Sequence, residues 1–410
     1  MPTLKNGHIP QVLATEYASY RDEVIGKLSS VLANVSHSQL RPLVLYDPMA
    51  GTAPFISLAE RQGYTAYFND LNCLHTYINA AKTLTSYRTF KEIGQAKLLS
   101  IVRRMTSKLD RCPRTATREW IESSVLEGLV HAWKKSEAQT ESNATLIKAI
   151  LLLSVRNLSS FIKTTNPTWL KPGGLRPNIS VEQAFRSTID RLNIFYQRVY
   201  AKHSEIKGGR IILTDYDASQ SAPACKADVI ITSPPFCNRV DWDRMYAPEH
   251  FFLNAVGVWH TRTEFLGTTM VRRYPEFDSD IKFVKERSVY LCRFLNDVQE
   301  RQIHGERRSN YYVKYYTRYF AGLFRVFDMA AKVLRKNNAG IYFAVQENNH
   351  RGLRIQINKA LAESLSKQGF QVRPQRGCSW DRHHQGLQNI SKHYRSVNPK
   401  QQESIWHATR

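Results

Sequence analysis

The chain has 410 residues, in which 58 lysines and arginines stand against 35 acidic residues, a net charge of +23. Its 42% hydrophobic and 11% aromatic residues are enough for a substantial core, which excludes disorder throughout. No run of about 18 apolar residues is present, and the N-terminus lacks the apolar segment of a secretory signal. We therefore expect no membrane partner and a cytoplasmic protein, nucleoid-associated if bacterial. The positive surplus favours a polyanionic partner, most commonly nucleic acid.

The six cysteines form no Cys-X-X-Cys pair. This spacing argues against a disulfide scaffold and a zinc ribbon, and the scattered histidines do not complete a four-ligand set. We expect reduced thiols and no metal.

The first elements form a strand–loop–helix–strand unit. The pattern predicts, in order, a helix over 10–34, a strand over 43–46, a helix over 55–61 and a strand over 64–68. The strands are almost uniformly apolar, which is typical of a parallel sheet covered by helices on both faces.

The rest of the chain returns to this pattern after a long helical stretch. Amphipathic helices fill 86–205, interrupted by a turn-rich loop at 165–174. Strands are predicted at 210–214, 228–232, 340–345, 370–372 and 403–407, and helices at 316–335 and 352–368. The segment 237–318 shows no strand periodicity and is rich in arginine, tyrosine and phenylalanine.

Six or seven strands alternating with helices predict an α/β doubly wound sheet. We divide the chain into residues 1–85, the N-terminal part of the core with the cofactor loops; 86–205, an inserted helical subdomain suited to DNA recognition; and 206–410, the rest of the core with a basic excursion at 237–318.

Two strand-end loops carry the residues expected to bind a cofactor. The first strand ends in Asp47-Pro48-Met49-Ala50-Gly51-Thr52-Ala53, and Asp70 closes the second strand. An acidic residue about 20 positions after such a turn can accept hydrogen bonds from ribose hydroxyls, which favours a nucleoside cofactor. The loop is neither GxGxxG nor GxxxxGK[ST], so a dinucleotide and ATP hydrolysis are disfavoured. Ordinary loop carboxylates remain the alternative.

Ser233-Pro234-Pro235-Phe236 is the most specific motif, and it directly follows an apolar strand. Prolines lack an N–H and have a fixed φ, so the carbonyl between them is a rigid acceptor. Together with the Ser233 hydroxyl, it can bind an exocyclic amino group. Phe236 offers a flat face to a base swung out of its duplex. An inert loop-breaking proline pair is the alternative.

With these motifs, the sequence resembles the Rossmann-like, S-adenosylmethionine-dependent DNA amino-methyltransferases, over 43–85, 210–250 and 325–410. That family carries an Asp-Pro-Phe-Ala-Gly-Ser-Gly-type loop and a (Ser/Asp/Asn)-Pro-Pro-(Tyr/Phe) tetrapeptide. Here Ala53 replaces the second glycine. The resemblance implies a seven-stranded methyltransferase sheet and S-adenosyl-L-methionine as the cofactor. Its methionine part would face Asp47, Pro48, Ala50 and Gly51, its ribose Asp70 and its adenine Asp215.

The resemblance also implies direct methyl transfer to a base nitrogen at Ser233, Pro234, Pro235 and Phe236, with no covalent enzyme intermediate. Serine at the first position favours cytosine N4, with adenine N6 second. No Pro-Cys dipeptide supplies the nucleophile for methylation of a ring carbon, and we interpret Cys237 as a small packing residue.

The expected partner is duplex DNA, in a restriction-modification, defence or regulatory setting that can include a partner protein. The arginines proposed to contact it follow the tetrapeptide or lie in the basic excursion: Arg239, Arg244, Arg272, Arg273, Arg307 and Arg308. In the run 310–320, we expect half of the aromatic rings to pack in a helix core rather than to stack on bases.

Two other functions fit the same fold. One is an RNA or tRNA base methyltransferase, although no RNA-binding module is recognisable. The other is a catalytically silent nucleic-acid-binding subunit. The intact tetrapeptide and Asp70 disfavour this alternative, and the replacement of the second glycine by Ala53 keeps it open.

Overall fold

The fold was obtained as a computed structural model. It describes residues 22–37, 41–106, 119–163, 170–174, 179–201, 206–235, 237, 242–258, 266–268, 271, 273–303, 309–335, 340–350, 352–382 and 401–409.

The elements of the first half of the chain are, in order, α1 (Asp22–His37), β1 (Val44–Asp47), α2 (Ile56–Gln62), β2 (Thr65–Asn69), α3 (Cys73–Ala80), α4 (Leu84–Ile93), α5 (Gln95–Met105), α6 (Ser123–Ser136), α7 (Glu141–Leu158), β3 (Phe161–Lys163), β4 (Leu170–Pro172) and α8 (Val181–Val199).

The second half contains β5 (Arg210–Thr214), β6 (Val229–Thr232), α9 (Trp242–Met245), α10 (Ala247–Ala255), α11 (Phe277–Arg287), α12 (Val289–Ile303), α13 (Ser309–Val333), β7 (Gly340–Gln346), β8 (Asn348–His350), β9 (Leu353–Ile355), α14 (Ile357–Ser366), β10 (Gln371–Arg382) and β11 (Gln401–Thr409).

Seven strands form one sheet in the order β5-β2-β1-β6-β7-β11-β10. The pairs β2–β5, β1–β6 and β6–β7 are parallel, whereas β11 is antiparallel to both β7 and β10. Counted along the chain, the first five sheet strands follow the 3-2-1-4-5 order of a doubly wound fold. The predicted fold class, an α/β Rossmann-like sheet of seven strands, is therefore confirmed.

The inner strands are apolar because both of their faces are covered. Every residue of β6 and β7 is buried, and three of the four residues of β1 are buried. Continuous burial of this kind is typical of parallel strands in an α/β protein. The antiparallel pair β10–β11 is more polar, and its register shifts between Pro374 and Ser379.

The chain groups into two compact units. The described residues of unit 1 come from Met1–Ile25, Ala50–Asp215 and Trp242–Thr261, and those of unit 2 from Gly26–Met49, Tyr216–Asp241 and Arg262–Arg410. The three-part division of the chain predicted from sequence stays a prediction.

Unit 1 is held together by the apolar faces of its helices. Leu129, Trp133, Phe185 and Leu192 are among the buried members of one continuous core cluster. Helix α8 begins with a capping box, in which Ser180 and Gln183 satisfy each other's backbone N–H groups.

Buried and partly buried polar contacts also stabilise the packing of the helices of unit 1. On α7, Arg156 makes a two-pronged pair with Glu249 of α10, with N···O distances of 2.6 and 2.8 Å. The hydroxyl of Tyr196 on α8 donates to the Ala81 carbonyl at 2.5 Å. The hydroxyl of Tyr200, directly after α8, contacts both Glu60 and the Lys82 carbonyl at 2.5 Å. Helix α8 is thus tied to the segment that follows α3.

In unit 2, the long helix α13 packs against α11, α12 and α14. Its rings at Tyr315, Tyr316, Tyr319 and Phe320 are all buried. Four of the six aromatic rings in the run 310–320 are therefore buried, more than the half predicted from the sequence.

A buried carboxylate, Asp228, lies just before β6 and also stabilises unit 2. Its fully buried carboxylate accepts hydrogen bonds from Arg41 and from the Val44 N–H, and Arg335 lies 3.2 Å away.

Several predicted boundaries differ from the structure. Helix α1 begins at Asp22, and residues 10–21 of the predicted helix lie outside the described residues. The stretch predicted as a turn-rich loop contains β4, which pairs with β3. The helix predicted from residue 352 begins at Ile357, because β9 occupies Leu353–Ile355 and pairs with β8. Among the described helices, none has the length and apolarity required to cross a membrane.

Candidate functional site

The turn after β1 begins with Asp47, which belongs to unit 2. Its carboxylate is fully buried, and Oδ1 accepts a hydrogen bond from the Met49 N–H at 3.1 Å. An aspartate that bonds the backbone two residues ahead stabilises a turn. The structure thus gives Asp47 a local role in shaping the turn, and its predicted contact with the cofactor, like that of Pro48, stays a prediction.

The turn continues in unit 1 with two residues in the left-handed region, Gly51 at φ +52° and Ala53 at φ +41°. Ala53 is the single non-glycine residue with a positive φ in the described part of the chain. It stands where the methyltransferase pattern has its second glycine, so the chain keeps a glycine-like backbone there despite the added Cβ. Its side chain is buried.

The loop is held from within unit 1 by its backbone and by two side chains. The Ala50 N–H donates to the Asn69 carbonyl at 2.8 Å. The Asn79 amide donates to the Gly51 carbonyl at 2.8 Å, and the Lys82 ammonium donates to the Thr52 carbonyl. Three successive residues of the loop are therefore fixed by named contacts.

Lys82 is an unusual group for this position. Its side chain is buried, and burial alone lowers its pKa to about 7. Nearby, burial raises the pKa of Glu60 to about 7, while its hydrogen bonds with Tyr200 and the Leu84 N–H act in the opposite direction. The base of the loop thus contains two titratable groups whose charged forms are disfavoured by burial.

Asp70 follows β2 and is oriented by three groups. Oδ2 accepts from the Gly51 N–H at 2.8 Å, Oδ1 accepts from the Asn72 N–H at 2.9 Å, and His75 Nδ1 lies 3.1 Å from Oδ1. Burial acts to raise the pKa of Asp70, but these interactions outweigh it and lower the pKa below its ordinary value. Asp70 is therefore an ionised acceptor, with 20% of its side chain exposed.

The surroundings of Asp70 contain polar groups that the sequence did not reveal. Asn72 caps α3 through the Leu74 N–H, and its Oδ1 also lies 3.0 Å from His250 Nε2. His75 packs edge-on against Tyr246, with ring centroids 5.5 Å apart. Within the described residues, Asn72 Nδ2 and His75 Nε2 are buried and have no hydrogen-bond partner. No spacing rule singles out these residues, because their partners are distant in sequence.

Asp215 lies beside Asp70 at the same edge of the sheet. The last paired residues of the neighbouring parallel strands are Asn69 and Thr214, and the Asp70 N–H donates to the Thr214 carbonyl at 3.1 Å. Asp215 is exposed. The pKa of Cys73 is raised to about 11, mainly by burial and next by the negative charge of Asp215. Two of the predicted cofactor-binding carboxylates are thus brought together within unit 1.

The tetrapeptide belongs to unit 2 and starts directly after β6. Pro234 is buried, whereas Ser233 and Pro235 are partly exposed. The Pro235 carbonyl accepts a hydrogen bond from the Tyr319 hydroxyl at 2.6 Å. Phe236 lies outside the described residues. Tyr319 was missed as a site residue because it follows the tetrapeptide by more than 80 positions and resembles its aromatic neighbours on α13.

Cys237 is buried, and burial raises the pKa of its thiol well above the ordinary value. A nucleophilic cysteine needs an accessible thiolate, so these properties fit the packing role expected from the sequence.

The predicted DNA-contacting arginines are described only in part. Arg244 lies on α9 and is partly buried, and Arg273 is exposed. Arg239, Arg272, Arg307 and Arg308 lie outside the described residues. Contact of these arginines with nucleic acid stays a prediction.

No protein-family model and no curated protein matches the chain. Among solved structures, the chain is similar to the rRNA methyltransferase aviRa from Streptomyces viridochromogenes, with a TM-score of 0.25 and 11% sequence identity over 96% of this chain and 88% of that one. The assignment to the α/β fold class comes from the strand order and not from this distant likeness.

Proposed function

We propose that the protein is an S-adenosylmethionine-dependent DNA methyltransferase that transfers a methyl group to the exocyclic amino group of a flipped base, cytosine N4 in preference to adenine N6. The observation that carries this proposal is the Ser233-Pro234-Pro235 segment directly after the fully buried parallel strand β6. Ligands of doubly wound sheets bind beyond the carboxyl ends of the strands, where this segment lies.

The residues of unit 1 fit the nucleoside part of the cofactor. Asp70 is an oriented, ionised and partly exposed carboxylate, which suits hydrogen bonds from ribose hydroxyls. Asp215 is exposed at the end of the adjacent strand and can accept from the adenine amino group. The small residues Ala50 and Gly51, with Asp47 and Pro48 before them, would hold the methionine part.

The residues of unit 2 supply the acceptors for the target base. The Pro234 carbonyl and the Ser233 hydroxyl would accept hydrogen bonds from the amino group, which localises the lone pair on its nitrogen. The cofactor supplies a methyl group on positively charged sulfur. When that methyl group is transferred to the nitrogen, the amino group would lose a proton, which the Ser233 hydroxyl and the Pro234 carbonyl would guide toward solvent.

Phe236 would stack on the extruded base, because chemistry on an exocyclic group requires the base to leave its stack. The net charge of +23 favours binding to DNA, and we propose that Arg239, Arg244, Arg272, Arg273, Arg307 and Arg308 contribute to this binding. We also propose that the protein acts in a restriction-modification, defence or regulatory setting.

Substitution of the tetrapeptide tests these roles. Ser233→Ala should lower turnover by about 100-fold or more, because it removes a group that acts at the reacting nitrogen, while the affinity for S-adenosylmethionine persists. Phe236→Ala should behave in the same way through lost stacking. Ser366→Ala, an exposed serine at the end of α14, is the matched control. Full turnover in Ser233→Ala and in Phe236→Ala would show that the target base lies elsewhere.

A further inference from the structure

Of the backbone torsions of Pro234 and Pro235, only the ψ angle of Pro235 is not set by the covalent structure of the tetrapeptide. The rings of Pro234 and Pro235 fix their φ angles. Ser233 and Pro234 each precede a proline, which holds their ψ angles in the extended region. Pro235 precedes Phe236, so its ψ angle has no such restriction. The direction in which the chain leaves Pro235 must therefore be set by a contact from another part of the protein.

Tyr319 provides this contact. Its hydroxyl donates to the Pro235 carbonyl at 2.6 Å, and that carbonyl turns with the ψ angle of Pro235. The tyrosine lies in the middle of α13, is buried, and packs edge-on against Phe320 with ring centroids 5.1 Å apart. Burial raises the pKa of Tyr319 well above its ordinary value, so the hydroxyl keeps the proton that it donates.

On the premise of the methyltransferase function proposed above, we propose that Tyr319 is a positioning residue that sets the ψ angle of Pro235 and thereby fixes the backbone at the end of the Pro234–Pro235 pair that receives the base. Tyr319 does not contact the base in this arrangement. It holds the Pro235 carbonyl, and with it the peptide that follows the Pro234 carbonyl acceptor. Its loss therefore affects the reacting geometry and leaves the nucleoside-binding residues Asp70 and Asp215 intact.

Tyr319→Phe tests this role because it keeps the ring and removes only the hydroxyl. Misplacement of reacting groups by about 1 Å can cost about 100-fold in rate. We expect kcat for methyl transfer to duplex DNA to fall by about 10-fold to 100-fold, with the KM for S-adenosylmethionine changed by less than about 2-fold.

Tyr290→Phe is the matched control. The Tyr290 hydroxyl donates to the Arg354 carbonyl at 2.7 Å and accepts from the Gln356 N–H at 2.9 Å, so this variant removes a tyrosine-to-carbonyl hydrogen bond and one further contact within unit 2. It lies outside the tetrapeptide, and we expect its kcat to equal that of the unchanged protein. An equal fall of kcat in both variants would mean that Tyr319 acts only through general stability and would overturn the proposal.

A measurement that needs no catalysis completes the test. In full-length protein labelled with ¹³C-proline, the Pro235 resonances, assigned with a Pro235→Ala variant, should shift or broaden in Tyr319→Phe and remain in place in Tyr290→Phe. Unchanged Pro235 resonances in Tyr319→Phe would overturn the proposal. If the unchanged protein transfers no methyl group to any nucleic acid, the proposed function fails, and the resonances still decide whether Tyr319 sets this torsion.

Discussion

Replacement of Lys82 by methionine should stabilise the protein, and the gain should shrink as the pH rises. Lys82 is buried beneath the loop that follows β1, where its ammonium donates to the Thr52 carbonyl. Burial lowers its pKa from 10.5 to about 7. Methionine has a similar length, fills the same space and carries no charge.

The magnitude follows from the pKa change. Below about pH 7 the lysine is charged in both the folded and the unfolded chain, and the cost of burying the charge reaches about 5 kcal/mol at about 1.4 kcal/mol per pKa unit. Above about pH 7, Lys82 loses its proton in the folded chain, whereas in the unfolded chain it stays protonated up to the ordinary lysine pKa. The cost of burying the charge therefore declines as the pH rises. Methionine cannot donate a hydrogen bond to the Thr52 carbonyl, and this loss reduces the stability gain of the variant by about 1 kcal/mol at every pH.

Urea unfolding of both proteins, followed by tryptophan fluorescence, measures this difference. The advantage of Lys82→Met should fall by about 2 kcal/mol between about pH 6.5 and about pH 8.5. Glu60 titrates in the same region but is present in both proteins, so its contribution cancels in the difference. Lys91→Met, at an exposed lysine of α4, should show no such pH dependence. A difference that stays constant with pH, or grows, would refute the account of Lys82.

Three further substitutions test other parts of the structure. Ala53→Gly should raise the free energy of unfolding by about 0.5–1 kcal/mol, because relief of the left-handed Cβ strain exceeds the entropy cost of glycine; a lower melting temperature would contradict this. Asp228→Asn should cost about 1–2 kcal/mol in urea unfolding, because the hydrogen bonds that the carboxylate accepts from Arg41 and the Val44 N–H lose their ionised acceptor; an unchanged midpoint would contradict that role. Arg273→Gln, at an exposed arginine proposed to contact DNA, should reduce the salt dependence of DNA binding by about one counterion; an unchanged slope would place the DNA elsewhere.

The sheet could be predicted from the sequence because its inner strands are continuous apolar runs. β6 and β7 are buried along their whole length, so their apolarity alone identifies them. β10 and β11 extend beyond their predicted apolar segments. Backbone pairing of β11 with β10 on one side and with β7 on the other stabilises the polar ends of these strands. The hairpins β3–β4 and β8–β9 have three residues in each strand, too few to show a period of two.

The candidate site was predictable where its residues lie next to strand ends. Asp70 and Asp215 follow neighbouring strands, and the register places them side by side. The groups that orient such residues were not predictable in this way. Tyr319 reaches Pro235 from a helix distant in sequence, and Lys82 looks like any surface lysine until the fold buries it. Sequence patterns report local periodicity, whereas these contacts depend on tertiary packing.

Identification of the methylated nucleoside tests the central proposal most directly. The full-length protein is incubated with labelled S-adenosylmethionine and, separately, with unmethylated duplex DNA and with unmodified RNA, and each nucleic acid is digested to nucleosides for chromatography. We predict that label appears in the DNA as N4-methylcytosine, with N6-methyladenine as the second outcome compatible with an amino-methyltransferase. Label confined to RNA nucleosides, or absent from both nucleic acids, would contradict the proposed function.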